Sequence, residues 1–176
     1  MRGALGLVAL SGVLLTGCSD LAHRHHQQPE VSPTVRAEPD RLPDLSPLLS
    51  VERARAILGA DTQPDPPVLS AHKAWWEVSG GANGLATLRV TVERARTTEL
   101  ARRFHRGTVD LWNDTRPYRQ RGSDEAIVST EFGLAFAARV GNVALRVSVS
   151  DPSGVSERTG DELRDLLATL IDPLRR

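Results

Sequence analysis

The sequence predicts an α+β domain: an antiparallel sheet of about five strands with helices packed on one face, in the order α-β-β-α-β-β-β-α. Three observations lead there. Runs such as 86–92 and 143–149 alternate apolar with polar or small residues at a period of two, the pattern of a sheet with one buried face. Other stretches space their apolar residues at i, i+3 and i+4, the pattern of an amphipathic helix. Short glycine-bearing turns separate successive strands, which makes neighbours antiparallel.

The first helix follows Leu45. Ser46-Pro47 reads as an N-cap followed by proline at the first helical position, and Ser50 caps the next turn with Glu52 near its positive end. Val51, Ala54 and Leu58 share a face, and Gly59 is the stop. Residues 61–67 carry three prolines and read as a loop. Strands are expected over 72–79 and 85–93, the second with Ala86, Leu88, Val90 and Val92 inward and Thr87, Arg89, Thr91 and Glu93 outward. Gly80-Gly81-Ala82-Asn83-Gly84 between them is a hairpin loop. As a phosphate cradle it lacks both the following Lys-Ser/Thr and a helix that opens after it.

Residues 97–113 form an amphipathic helix, with Leu100, Phe104 and Leu111 on one face and Arg102, Arg103 and Arg106 opposite. Strands then run over 125–130, 132–140 and 143–150. Phe132, Leu134, Phe136, Ala138 and Val140 share one face; Ala135, Ala137 and Arg139 share the other. Gly141-Asn142 is a tight turn, in the reverse of the favoured Asn-Gly order. In the last helix Thr159-x-x-Glu162 reads as a capping box. Leu163, Leu166, Leu167, Leu170 and Leu174 then form the apolar stripe, and Pro173 ends or kinks it.

Ahead of this domain the pattern differs. Met1-Arg2 is a short positive segment, and 3–15 are thirteen residues without a charge. A bilayer-spanning helix needs about 20 apolar residues, so this length and these flanks read as a signal peptide. Leu15-Thr16-Gly17-Cys18 follows and resembles the lipobox of bacterial lipoproteins. That resemblance implies cleavage between Gly17 and Cys18 and a diacylglyceryl anchor, with palmitate-type chains, on Cys18. Two chains anchor stably where one is marginal, since each buried methylene contributes about 0.8 kcal/mol. The organisation expected is 1–17 signal peptide, 18–43 lipidated flexible tether carrying four prolines, and 44–176 a single domain. The location expected is the outer face of the cell membrane.

Composition excludes several function classes. The chain has 22 basic and 22 acidic residues among 176, so nothing draws the whole molecule to nucleic acid. Cys18 is the one cysteine; if it carries lipid, thiol nucleophiles, cysteine metal sites and disulfides are all closed. Aromatics make up 4%, which argues against a typical sugar-stacking cleft. Gly-x-Ser-x-Gly, His-Glu-x-x-His and P-loop motifs do not occur.

His23, His25 and His26 in the tether are a metal candidate of the His-rich kind. Arg24 in their midst and the missing rigid scaffold favour a solvated spacer. His72 and His105 stand alone and read as surface or core-edge residues. The loop with Arg116, Tyr118, Arg119 and Arg121 is a candidate contact for anionic lipid or envelope polymer, against the plainer reading of a solvated connection. Trp75 and Trp76 point to opposite sheet faces, so one is core and the other a binding candidate.

The element order, behind a lipobox and a proline-bearing tether, resembles small cell-envelope lipoproteins of actinobacteria. The family domain opens with Cys-x-Leu-Leu-Ser/Thr, a short helix and Leu-Gly. Here Ser46-Pro47-Leu48-Leu49-Ser50 through Leu58-Gly59 matches, with Ser46 in the cysteine's place. The family's Cys-x-Trp in the first strand reads Ala74-Trp75-Trp76, so both cysteines of that disulfide are replaced together. Gly133 to Ser150, with Ala-Arg-Val-Gly-Asn-Val at 138–143, also fits. The resemblance implies a non-enzymatic extracytoplasmic binding or sensor-like domain, without a cofactor. Its partner is an envelope protein, lipid or small molecule. The alternatives are an envelope hydrolase with a carboxylate site, or a metal carrier through the histidine tract. Convergent acids in a pocket favour the hydrolase; an apolar groove beside Trp75 or Trp76 favours binding.

Overall fold

The computed structural model describes residues 40–81 and 83–176. Cys18, Gly17 and the His23/His25/His26 tract lie outside the described residues. The fold is α+β, as expected, and the antiparallel sheet has seven strands rather than about five. In chain order the elements are α1 (Val51–Leu58), β1 (Val68–Leu69), β2 (Lys73–Gly80), β3 (Ala86–Arg94), α2 (Thr98–Leu111), β4 (Thr115–Pro117), β5 (Glu125–Ser129), β6 (Leu134–Val140), β7 (Val143–Ser150) and α3 (Glu157–Leu174). The two additional strands, β1 and β4, have two and three residues and form the sheet edges. Segments that short hold no readable alternation. Pro117 in β4 sits where an edge tolerates a missing donor.

The order across the sheet is β1-β2-β3-β7-β6-β5-β4. The chain builds one half as a meander, leaves central β3 through α2, reaches the far edge at β4, and meanders back until β7 pairs with β3. Along β7, Val143, Leu145, Val147 and Val149 lie opposite Arg94, Val92, Val90 and Leu88. Phe136 and Ala138 pair with Val147 and Leu145 on the other side. Apart from Arg94 at its end, these residues form one apolar face, and α1 and α3 pack over it. From α3 it receives Leu163, Leu166, Leu167, Leu170, Ile171 and Leu174, all buried. The packed part begins at Leu42, whose N–H donates to the Ala71 carbonyl at 2.8 Å.

Helix α2 lies on the opposite face of the sheet, whereas the amphipathic pattern had placed all helices on one. Arg146, which alternates away from the apolar face, reaches the Phe104 carbonyl of α2 at 3.4 Å. Ala137, Arg139 and Ala144, on the same side as Arg146, are buried. The stripe α2 buries is Ala101, His105 and Thr108, not Leu100, Phe104 and Leu111; Leu111 is among the exposed apolar residues. Ala101 and Thr108 are small enough to let the helix sit on a sheet face built of alanine and arginine stems, and His105 is the one larger member of the stripe.

Local signals decide several ends. Ser50 accepts from Arg53 N–H at 3.3 Å and caps α1. Ser46 does not cap: it lies inside a 3-10 turn, and its N–H and hydroxyl donate to Asp44 at 2.9 and 2.7 Å. Helix α3 starts ahead of the expected capping box. Its cap is Ser156, accepting from Thr159 N–H at 3.1 Å, and Pro173 falls in the last turn, where it breaks little. The reversed Gly141-Asn142 order has a reason: Gly141 takes φ +55°, and Asn142 is buried with its amide donating to the Ala95 carbonyl at 3.1 Å. Phe132 is not a strand residue; it stands in the β5–β6 turn, 75% exposed.

Candidate functional site

The sheet face that carries α2 is only half covered. Reading the pairings across it, Trp75, Thr91, Arg146, Ala137 and Ile127 form one transverse row. The neighbouring row is Glu77, Arg89, Ser148, Ala135 and Ser129. Helix α2 crosses the first row at Arg146 and ends beside the second. What remains open is a groove of about 350 Å³, floored by Ser148 and Ala135 and bordered by Trp112 just past the end of α2. Small side chains on the floor make it a groove rather than a flat face.

Its two sides differ in chemistry. On the β2–β3 side the Arg89 guanidinium donates to the Glu77 carboxylate at 2.8 Å, with Thr87 two residues along β3 toward the hairpin. On the β5–β6 side stand two aromatics, Trp112 and Phe132. They are neighbours because their chain neighbours are bonded: Asn113 donates to Glu131 from its backbone N–H at 2.9 Å and from its side-chain amide at 2.6 Å. Thr130 donates to Asp114 at 3.0 Å beside them. These bonds clamp the end of α2 to the β5–β6 turn, so the aromatic side is positioned by two elements far apart in sequence.

Gly133 shapes the same corner. It takes φ +122°, and a Cβ there would collide with the Val149 carbonyl oxygen and stand 2.9 Å from Ser150 Cα. The turn therefore lies directly against the end of β7, as only glycine permits.

Under α2 lies a charged cluster built on one buried arginine. Arg139, 5% exposed, donates to Asp124 at 2.9 Å, to Glu125 at 3.2 Å and to the Gly141 carbonyl at 2.9 Å. Asp124 also accepts from Gly141 N–H at 2.7 Å. Burial works to raise the Glu125 carboxyl, but the hydrogen bond and charge of Arg139, helped by His105 and Arg102, hold it below its ordinary value. His105 is buried beneath the helix. Desolvation pushes its imidazole below the usual histidine range, the Glu125 charge opposes this, and Arg139 and Arg146 reinforce it. Arg102 of α2 reaches Glu125 at 3.5 Å, and the cluster does not open into the groove lining.

The sequence candidates fall in scattered places. Trp76 is core: it is 2% exposed, and its indole N–H donates to the Asp65 carbonyl at 2.8 Å, pinning the proline loop. Trp75 is 39% exposed on the half-covered face, one row from the groove, whose lining it does not join. Tyr118 turns inward and packs against Phe136, the rings tilted by 52° with centroids 4.9 Å apart. Arg116, Arg119 and Arg121 remain exposed, and Arg116 pairs with Asp114 at 3.7 Å. The structure brings the arginines of this loop to the sheet's edge, away from the groove. His72 is a surface residue that accepts from Arg94 at 3.2 Å. Among the described residues no cluster of three or more His, Cys, Asp or Glu could hold a metal, and no helix is long and apolar enough to cross a membrane.

Glu77, Ser148, Trp112 and the exposed Phe132 were missed as site residues. Alternation identified the outward positions of β3 and β7, but their adjacency depends on a pairing between strands some 50 positions apart. One signal was available: a tryptophan, Trp112, at the end of the amphipathic helix expected over 97–113.

No family model matches this chain, and no curated protein is similar to it at a significant level. Among solved structures, the extracellular domain of PknH from Mycobacterium tuberculosis is similar, with a TM-score of 0.48 and 16% identity over 79% of this chain and 96% of that one. A likeness at this level says nothing about activity or ligand.

Proposed function

We propose that the chain is a lipid-anchored domain on the outer face of a bacterial cell membrane that binds a ligand in the half-open groove without transforming it. The observation that carries the reading is the uncovered row of the sheet. A face that needed only to be solvated would not require an aromatic rim clamped by bonds from two elements, whereas a preformed concavity with a few oriented polar groups suits a ligand. The anchor rests on the uncharged run ending in Leu15-Thr16-Gly17-Cys18. Against hydrolysis, the groove lining includes one carboxylate, Glu77, and Arg89 engages it; acid–base cleavage of a glycoside uses two.

Two measurements test this. Cys18→Ala should move the protein from the membrane to the soluble fraction, and retention refutes the anchor. For the groove, the melting temperature of the full chain is followed against lipid, polysaccharide and peptide fractions of envelope extract. At least one fraction should raise it in the wild type and not in Ser148→Trp, which fills the floor. Equal responses of the two proteins refute the groove.

A further inference from the structure

We propose that the groove ligand is a neutral glycan segment, with a sugar ring laid on Trp112 and Phe132 and its hydroxyls bonded to Ser148, Thr87 and the Glu77–Arg89 pair. This rests on the reading of the groove as a binding site and adds the ligand's class.

The chemistry of the lining selects among ligands. Its charged residues are Glu77 and Arg89, already joined at 2.8 Å, so the groove offers no net charge to an anion or a cation. Both still carry unused bonding capacity: a guanidinium has five N–H donors and a carboxylate about four lone-pair sites. The other polar side chains of the lining are hydroxyls, including Thr87, Ser148 and Ser150. A hydroxyl donates and accepts, as sugar hydroxyls do, so a polyol can satisfy each of them in either sense. A lipid chain would leave those hydroxyls unpaired at a cost. A peptide strand would need free ladder groups, and here β3, β7, β6 and β5 already bond to each other across the floor; strand addition takes place at an edge.

The aromatic side supplies the apolar half. A pyranose presents C–H groups on one face and hydroxyls around its rim. Aromatics are scarce in the chain, which speaks against a sugar-stacking cleft, yet two of its seven, Trp112 and Phe132, offer flat apolar surface at one side of this groove, and the polar groups lie across the floor from it. From β5 to β3 is three interstrand steps, roughly 14 Å. That span suits two or three linked sugars better than one ring.

The test is calorimetric titration of the purified full chain with mannotriose, maltotriose and cellotriose, alongside trigalacturonic acid and phosphatidylglycerol vesicles. At least one neutral trisaccharide should bind. Its affinity should fall tenfold or more in Ser148→Trp and at least threefold in Phe132→Ala, a substitution at an exposed turn position that leaves the fold intact by melting temperature. Saccharide binding unchanged in both variants overturns the proposal. Binding of only the acidic sugar or the vesicles, lost in Ser148→Trp, overturns the glycan class while leaving a groove ligand. If no probe binds, the glycan is overturned, and the envelope-fraction melts decide the groove separately.

Discussion

Replacing Arg139 by methionine isolates the charged cluster beneath α2. Methionine keeps most of the buried stem, so the packing change is small. What is lost is the guanidinium, with its bonds to Asp124, Glu125 and the Gly141 carbonyl. A hydrogen bond to a charged group contributes about 1.5–3 kcal/mol when well shielded. Here the carboxylates are only partly shielded, 49% and 37% exposed against 6% for the arginine. Water would therefore take over much of their bonding, and each such bond contributes nearer 1 kcal/mol or less. Removing the arginine also relieves its own desolvation cost. The net expectation is a loss of about 2 kcal/mol, read as a lower urea midpoint at unchanged m-value by tryptophan fluorescence. A second readout follows from the carboxyl of Glu125, which Arg139 draws below its ordinary value. A depressed carboxyl contributes stability above its unfolded value and loses it as pH falls through the folded one. That acid-range loss should shrink in Arg139→Met. A change below about 0.5 kcal/mol, with the acid limb intact, would falsify a stabilising role for the Arg139 cluster, because partly exposed pairs can contribute nothing measurable.

Three further outcomes are expected. His105 has a depressed imidazole, so the unfolded chain takes its proton first. Stability should decline as pH falls below about 6.5, and His105→Gln should flatten that slope in urea melts between pH 7 and 5; an unchanged slope refutes the assignment. Gly133→Ala combines a left-handed backbone with a collision against β7, and should cost more than about 2 kcal/mol while lowering groove affinity; a neutral result means the turn does not lie against β7. Gly107, inside α2, has open space where a Cβ would stand, so Gly107→Ala should raise stability by about 0.5–1 kcal/mol. A lower melting temperature in that variant would show that α2 needs glycine at this point.

The α+β class, the three helices, the long strands and most of their inward residues were legible along the chain. Each depends on periodicity within one segment, and a period of two or 3.6 is written along the chain. The α3 leucines were legible for the same reason, and Ser50 and Gly59 because helix caps are chosen by local hydrogen bonding and backbone conformation. Phe132, read as a strand residue, stands in the β5–β6 turn. Other features depended on what lies across from a segment. The stripe α2 buries was misread because Leu100, Phe104 and Leu111 make the stronger apolar pattern, yet the helix faces alanines and arginine stems on the second side of the sheet. Edge strands β1 and β4 are too short to show a period and exist through their partners. The groove is the furthest from the sequence: it requires β3 to pair with β7, α2 to stop one row short, and Asn113 to find Glu131. Those are long-range contacts, and the tertiary structure decided them because a gap in a covered face belongs to no single segment.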